Sequence, residues 1–229
     1  MPDQFSERLE LLSSSANTVL LKDIQRGLEK ESLRITPDGQ LAQTPHPVAL
    51  GSALTHPNIT TDFSEALMEF ITPVSTDIDS SLQCLGDVHR FVYAHLGDEQ
   101  LWTASMPCML QGDEHIPVAQ YGSSNVAQMK TAYRHGLGNR YGRIMQTIAG
   151  IHYNFSLPQS LWQALQKQDY DKRPLQDYIT DAYFNLIRNF RRTSWLLVYL
   201  YGASPAVCNS FLKGRDHHLK AFDHNSVYL

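Results

Sequence analysis

Apolar positions along the chain fall into two periods, and each predicts an element. Over residues 76–96, Ile78, Leu82, Leu85, Val88, Val92 and Leu96 recur every three or four positions, the spacing of one helix face, with Thr76 and Asp79 as a capping pair. Over about 175–201 the same period turns Ile179, Tyr183, Leu186, Ile187, Phe190, Leu197 and Val198 inward, leaves Arg188, Arg191 and Arg192 to solvent and ends at Gly202. A short amphipathic helix is predicted over 6–12, and another over 127–137, fed by the turn Tyr121-Gly122-Ser123-Ser124-Asn125. The two-residue period of strands appears three times. Residues 28–35 are strand-like, and Thr36-Pro37-Asp38-Gly39 folds them back toward 40–43 as a hairpin. In 58–73, Ala66, Met68 and Phe70 share one face, and Glu65, Leu67, Glu69 and Ile71 the other. From Gly150, Ile151, Tyr153, Phe155 and Leu157 face a core while His152, Asn154 and Ser156 face away. Strands and helices mix without a regular βαβ repeat, so the class is α+β. No repeat, low-complexity run or linker marks an internal boundary, and 1–229 reads as part of one domain.

With 42% hydrophobic and 18% charged residues, and no stretch near the ~18 apolar residues a membrane span requires, the composition is that of a soluble globular protein. The first residues carry acid and no apolar segment follows, so no secretory signal is read and the expected location is the cytoplasm. Cys84, Cys108 and Cys208 lack the paired spacing of a zinc or redox motif; all three are expected to be reduced, two of them in the core. The net charge of -4 hides an asymmetry: residues 1–120 hold 17 acidic against 6 basic side chains, and 121–229 hold 6 against 13. A pI near 6.2 argues against nucleic acid as a partner. The asymmetry reads either as two solvated faces or as carboxylates that hold metal opposite cations that hold phosphate.

Three clusters carry candidate chemistry. Glu29 and Glu31 stand two apart in a strand, on one face and roughly 7 Å from each other. They are either solvated or bridged by a divalent cation such as Mg²⁺, which takes oxygen ligands. Glu69 lies among apolar neighbours and needs a positive partner, either a basic side chain or a metal. His152, Asn154 and Ser156, with Gln146 upstream, offer imidazole, amide and hydroxyl groups without Lys or Glu, as a site wall does. The basic residues Lys130 and Arg134 of the helix predicted over 127–137, with Arg140 and Arg143 after them, can receive phosphates. No Walker loop, dinucleotide glycine fingerprint, nucleophile elbow or kinase signature occurs.

On these segments, Arg26-Gly27-Leu28-Glu29-Lys30-Glu31-Ser32-Leu33-Arg34, Gly51-Ser52-Ala53-Leu54-Thr55-His56 with Ile59-Thr60-Thr61-Asp62-Phe63, Glu69-Phe70-Ile71-Thr72-Pro73, Ser105-Met106-Pro107-Cys108 and the run 146–158, the sequence resembles the proteobacterial type of glutamate–cysteine ligase. The resemblance covers nearly the whole chain. It implies a glutamine-synthetase-like fold with a strongly curved, mainly antiparallel sheet flanked by helices, incomplete in this chain, which looks like the N-terminal portion of an enzyme about twice as long. The implied activity joins the γ-carboxylate of glutamate to the amine of cysteine, with ATP as co-substrate and Mg²⁺, or Mn²⁺, as cofactor, in the first step of glutathione synthesis. It implies Glu29, Glu31, Asp62, Glu69 and His152 as metal ligands, Gln146 and Asn154 at glutamate, Phe63, Tyr133 and Leu137 around the cysteine side chain, and Arg134 at the transferred phosphate. The family's remaining metal glutamate and substrate arginine would lie beyond Leu229, so the chain alone is expected to have little activity. Its last segment, 221–229, reads as a strand without partners. The rival readings are a metal-dependent phosphohydrolase and a non-catalytic fragment that binds ligand.

Overall fold

The computed structural model of the protein describes residues 4–107, 109–202, 206–212 and 216–228. Among them the helices are α1 (Gln4–Ser13), α2 (Ser15–Thr18), α3 (Ile78–Tyr93), α4 (Asn125–Tyr141), α5 (Gln159–Gln168) and α6 (Leu175–Tyr201). The strands are β1 (Gln25–Ile35), β2 (Ile59–Thr61), β3 (Leu67–Ile71), β4 (Gln100–Leu101), β5 (Ile151–Ser156), β6 (Val207–Cys208), β7 (Lys220–Ala221) and β8 (Ser226–Tyr228). The α+β expectation holds. One sheet runs β2-β3-β1-β4 with β5 joined to β1, and a second runs β6-β8-β7. The chain divides into two compact units, residues 27–154 with 205–229, and residues 1–26 with 155–204.

In the larger unit β1 is the organising strand. Its antiparallel register with β3 sets Lys30 opposite Phe70, Glu31 opposite Glu69, Ser32 opposite Met68 and Leu33 opposite Leu67. Opposed residues share a face. Met68 and Phe70, both fully buried, pack one face onto Leu50, Ile59, Val92, Leu96 and Leu101, with Leu85 and Val88 of α3 alongside. The other face carries Glu29, Glu31 and Glu69, and it continues through Leu33 and Leu67 into a core with Leu41, Phe63, Ile116 and Ile144. Lys30 therefore stands on the α3 side although it lies between the two glutamates in sequence. Its Nζ donates to Ser32 Oγ at 2.5 Å, and burial holds its pKa below the usual lysine value.

The end of β1 is fixed by a buried cation. Arg34 is fully buried and donates to Glu99 Oε2 at 2.6 Å, to Thr44 Oγ1 at 2.6 Å, and to the carbonyls of Thr44, Pro45 and Glu65. The turn after β1 closes as expected, with Thr36 N–H donating to Gln40 O at 2.9 Å. The returning arm forms only a bridge between Ile35 and Leu41, and β4 supplies the paired partner of Arg34 and Ile35 instead of a hairpin strand.

α3 begins one residue after Asp77, whose carboxylate accepts from Ser80 N–H at 2.8 Å. That replaces the expected Thr76 and Asp79 pair, because a carboxylate at the cap reaches the third helical N–H without help from a second side chain. Asp77→Ala is expected to cost about 1 kcal/mol, read by urea denaturation of the chain; no change would remove the cap from the stability account. α4 covers the predicted 127–137 and is capped by Ser124, which accepts from Ala127 N–H at 3.2 Å.

The smaller unit packs Leu161, Trp162, Leu165 and Tyr178 with Leu11, Leu12, Leu20 and Leu21, and Leu157 N–H donates to the Tyr183 hydroxyl at 3.0 Å. α6 has its predicted bounds and ends at Gly202, where an added Cβ would stand 2.3 Å from the Val198 carbonyl oxygen. Its inward stripe is realised only at its N-terminal end. Ile179 and Tyr183 join this core, but Leu186, Ile187, Phe190, Leu197 and Val198 are exposed, as are Arg188, Arg191 and Arg192. The core of this unit stops at Tyr183, so periodicity here marks an apolar stripe and not its cover.

Three further expectations change. Ile151, Tyr153 and Phe155 are exposed, not core. β8 is not an unpartnered strand: it lies between β6 and β7, with Val227 opposite both Val207 and Ala221. Cys84 and Cys208 are reduced, as expected, but half-buried, and Cys108 lies outside the described residues. Among the described residues no helix is long and apolar enough to cross a membrane.

Candidate metal and substrate site

The acidic face of the sheet gathers the carboxylates that the sequence singled out. The strand period puts Glu29 and Glu31 on one side of β1, and the register adds Glu69 directly opposite Glu31, with Thr60 of β2 on the far side of Glu69. Like charges in that relation repel. β5 brings the neutral donors to the same place. His152 Nδ1 lies 3.0 Å from Glu29 Oε2, and Asn154 Nδ2 donates to Glu29 Oε1 at 3.0 Å. Both oxygens of Glu29 are thus engaged by alternate residues of one strand. Gly150 N–H donates to Glu31 Oε2 at 2.7 Å, and Glu31 N–H donates back to Gly150 O at 2.9 Å. A Cβ at Gly150 would stand 3.4 Å from His152 Nε2 and 3.6 Å from Glu31 Oε2, so the glycine keeps that approach open.

One ligand atom each from Glu29, Glu69 and His152 lie within 4.8 Å of one another. Oxygen and imidazole donors this close suit a divalent cation, with Mn²⁺ tolerating the imidazole better than Mg²⁺. When Nδ1–H of a neutral His152 donates to Glu29, Nε2 keeps its lone pair for a metal, the usual carboxylate–histidine arrangement.

The charge state of the cluster points the same way. Glu69 is pushed up to about 7, first by burial and then by Asp62, Glu29 and Glu31, with His152 opposing. Glu31 is raised by burial and by Asp62 and Glu29, against the Gly150 N–H and His152. His152 is raised by its bond to Glu29, against partial burial, with Glu31, Glu29 and Glu69 adding to the rise. Among the described residues neither Glu31 nor Glu69 forms an ion pair with lysine or arginine. Among the described residues these carboxylates are short of positive charge, and a cation would restore their ionisation.

The remaining candidates lie around this wall in different settings. Asp62 is half-buried in the turn between β2 and β3 and acts electrostatically on Glu31 and Glu69. Its carbonyl accepts from Arg134 Nε, and Arg134 Nη2 reaches the Thr61 carbonyl at 3.4 Å. Arg134 is thereby anchored to the backbone of the turn that presents Asp62. Phe63 is 1% exposed in the core, and Leu137 packs half-buried against that core. Tyr133 is 65% exposed on α4, and Gln146 is half-buried in the 3-10 turn Ile144–Thr147. The structure thus brings Glu29, Glu31, Glu69, His152, Asn154 and Asp62 together, while Phe63 stands as a packing residue at the foot of α4.

Two contributors escaped the sequence. Gly150 supplies a backbone donor, which no residue type announces. Tyr121, 8% exposed, donates its hydroxyl to the Thr61 carbonyl at 2.7 Å and places its ring under Arg134. The only sequence signal for it was an aromatic just before the α4 cap.

Fold and site together define an α+β protein with an acidic wall on an antiparallel sheet. The family model for glutamate-cysteine ligase matches residues 9–229, and the chain belongs to that family. The glutamate–cysteine ligase of Alcanivorax borkumensis is 63% identical over 220 residues, which is 96% of this chain and 42% of that protein. That of Azotobacter vinelandii is 55% identical over 232 residues, 100% of this chain and 44% of its own length. The crystal structure of the Francisella tularensis glutamate–cysteine ligase in complex with AMP has a TM-score of 0.80 at 38% identity, covering 90% of this chain and 40% of that one. A bifunctional glutathione synthetase from Pasteurella multocida has a TM-score of 0.76 at 34% identity, covering 89% and 26%. The chain spans less than half the length of these relatives.

Proposed function

We propose that this chain supplies the metal-binding wall and part of the substrate site of a glutamine-synthetase-like ligase with a curved sheet, which joins the γ-carboxylate of glutamate to the amine of cysteine at the expense of ATP. The observation that carries the reading is the convergence of Glu29, Glu69 and His152 beside Asn154 in a chain of this family. The complex of the Francisella relative with AMP supports nucleotide as co-substrate.

A carboxylate does not acylate an amine in neutral water, so the γ-carboxylate oxygen first attacks the γ-phosphorus of ATP and ADP leaves. The cysteine nitrogen then attacks the acyl carbon, the C–O bond to phosphate breaks, phosphate departs with that electron pair, and the amine proton passes to solvent. Charge must be neutralised and the reactants aligned at each step. Bound Mg²⁺ or Mn²⁺, held by Glu29, Glu31, Asp62, Glu69 and His152, would supply charge neutralisation at the phosphate oxygens. Asn154 and Gln146 orient glutamate through amide hydrogen bonds. Arg134, anchored on the Asp62 carbonyl, offers its outer N–H groups to the transferred phosphate. Tyr133 and Leu137, one turn apart on α4, with Phe63 behind them, form the apolar side that receives cysteine. No covalent nucleophile from the protein is required.

The test uses the polypeptide extended to the length of its relatives, supplied with glutamate, cysteine or both, and measures ADP. Release that requires both amino acids and matches the γ-glutamyl product is expected. Release indifferent to cysteine would make the protein a phosphohydrolase.

A further inference from the structure

We propose that Lys130 and Arg134, side by side over the Tyr121 ring, form a binding pair for a phosphoryl oxyanion, with Lys130 as its principal donor. The pair is built by α4. Residues four apart lie on one face of a helix, and both cations converge on a single aromatic ring, Lys130 Nζ 5.0 Å and Arg134 Cζ 4.7 Å from its centroid. The ring is held in place, since Tyr121 is buried and its hydroxyl is bonded to Thr61 and Asp62. A ring quadrupole attracts each cation weakly, by about 0.5–1 kcal/mol at exposed sites, and does nothing to cancel the repulsion between them. Among the described residues neither cation has a carboxylate partner.

The donors are unequally committed. Arg134 spends Nε on Asp62 O, one Nη1 hydrogen on Lys130 O and one Nη2 hydrogen on Thr61 O. That leaves its second Nη hydrogens. Lys130 Nζ donates to no oxygen among the described residues, so its three hydrogens remain for a ligand. Asp62 connects this pair to the acidic wall: its carbonyl holds Arg134, while its carboxylate raises Glu69 and Glu31. A group with several anionic oxygens fits two cations on a rigid platform better than a single carboxylate does. The inference deepens the reading of Arg134 as a phosphate contact and rests on it.

The experiment is calorimetric titration of the chain, without divalent metal, using sodium tripolyphosphate, inorganic phosphate and ATP as separate probes. Tripolyphosphate binding is expected to weaken roughly tenfold or more in Lys130→Met, the size of one charge-assisted contact. Lys130→Arg is expected to recover most of it, with melting temperatures unchanged. Tighter binding of tripolyphosphate and ATP than of inorganic phosphate would assign the pair to a nucleotide tail; the reverse order would assign it to free phosphate. Absence of binding to the unsubstituted chain, equal binding in Lys130→Met, or equal loss in Lys130→Arg with a lowered melting temperature would overturn the proposal. Because the titration omits metal, loss of cation binding in a Glu69 variant leaves this result standing, and the two readings fail separately.

Discussion

Glu69→Gln is expected to make the metal-free chain more stable at pH 8 while removing most of its affinity for divalent cation. The carboxyl of Glu69 is pushed from an ordinary 4.5 up to about 7, so the folded chain holds that proton more tightly than the unfolded chain does. Below pH 4.5 both states are protonated and no penalty exists. Between pH 4.5 and about 7 the unfolded chain ionises first, and stability falls as pH rises. Above 7 the full cost of the buried charge among Asp62, Glu29 and Glu31 is present. A neutral glutamine removes that cost, so the melting temperature should rise at pH 8 and the difference should vanish below pH 4.5. The same change deletes one metal ligand, and Mn²⁺ affinity should fall at least about tenfold, about 1.4 kcal/mol. Destabilisation at pH 8 with unchanged Mn²⁺ affinity would mean that Glu69 is neutralised by a basic side chain.

The second large effect is structural. Arg34→Met keeps the length of the side chain but strands Glu99, whose side chain is 14% exposed, and leaves the carbonyls of Thr44, Pro45 and Glu65 without their donor. Breaking a buried pair from one side costs about 3–5 kcal/mol, and urea denaturation should read a loss of that size. Since Arg34 shares β1 with Glu29 and Glu31, and its Glu65 contact lies in the segment between Asp62 and β3, cation binding should weaken in proportion to unfolding. A loss below about 1 kcal/mol would mean that water replaces the guanidinium, as it does for surface pairs.

What the sequence made legible follows from periodicity, and what it hid follows from tertiary partners. The two-residue period alone put Glu29 with Glu31, and Glu69 on the face opposite Met68 and Phe70. That Glu31 would stand across from Glu69 depended on register, which hydrophobic pattern narrows but does not number. The extent of α6 was readable because an apolar period runs up to Gly202. The cover of its second half was not, because a pattern names a face and not what lies on it. The same reason turns Ile151, Tyr153 and Phe155 from expected core into exposed positions. Asp77 displaced Thr76 at the α3 cap through a competition that sequence ranks only coarsely. Gly150 and Tyr121 were silent because a backbone N–H and a ring beneath an arginine carry no local signature. The metal reading of Glu29, Glu31 and Glu69 was approached from chemistry, as carboxylates in want of positive charge, whereas the ligand roles of Asp62 and His152 and the substrate roles of Gln146, Asn154, Phe63, Tyr133 and Leu137 came from family resemblance.

The central claim is that Glu29, Glu69 and His152 hold a divalent cation, and proton release tests it most directly. A ligand set containing a carboxyl near 7 and a raised imidazole must shed protons when metal enters. Calorimetric titration of the chain with Mn²⁺ at pH 7, in two buffers of different ionisation enthalpy, measures how many. Binding with net proton release is expected, with both affinity and release reduced in Glu69→Gln. Absence of binding, or binding with no proton release and no response to Glu69→Gln, would contradict the account.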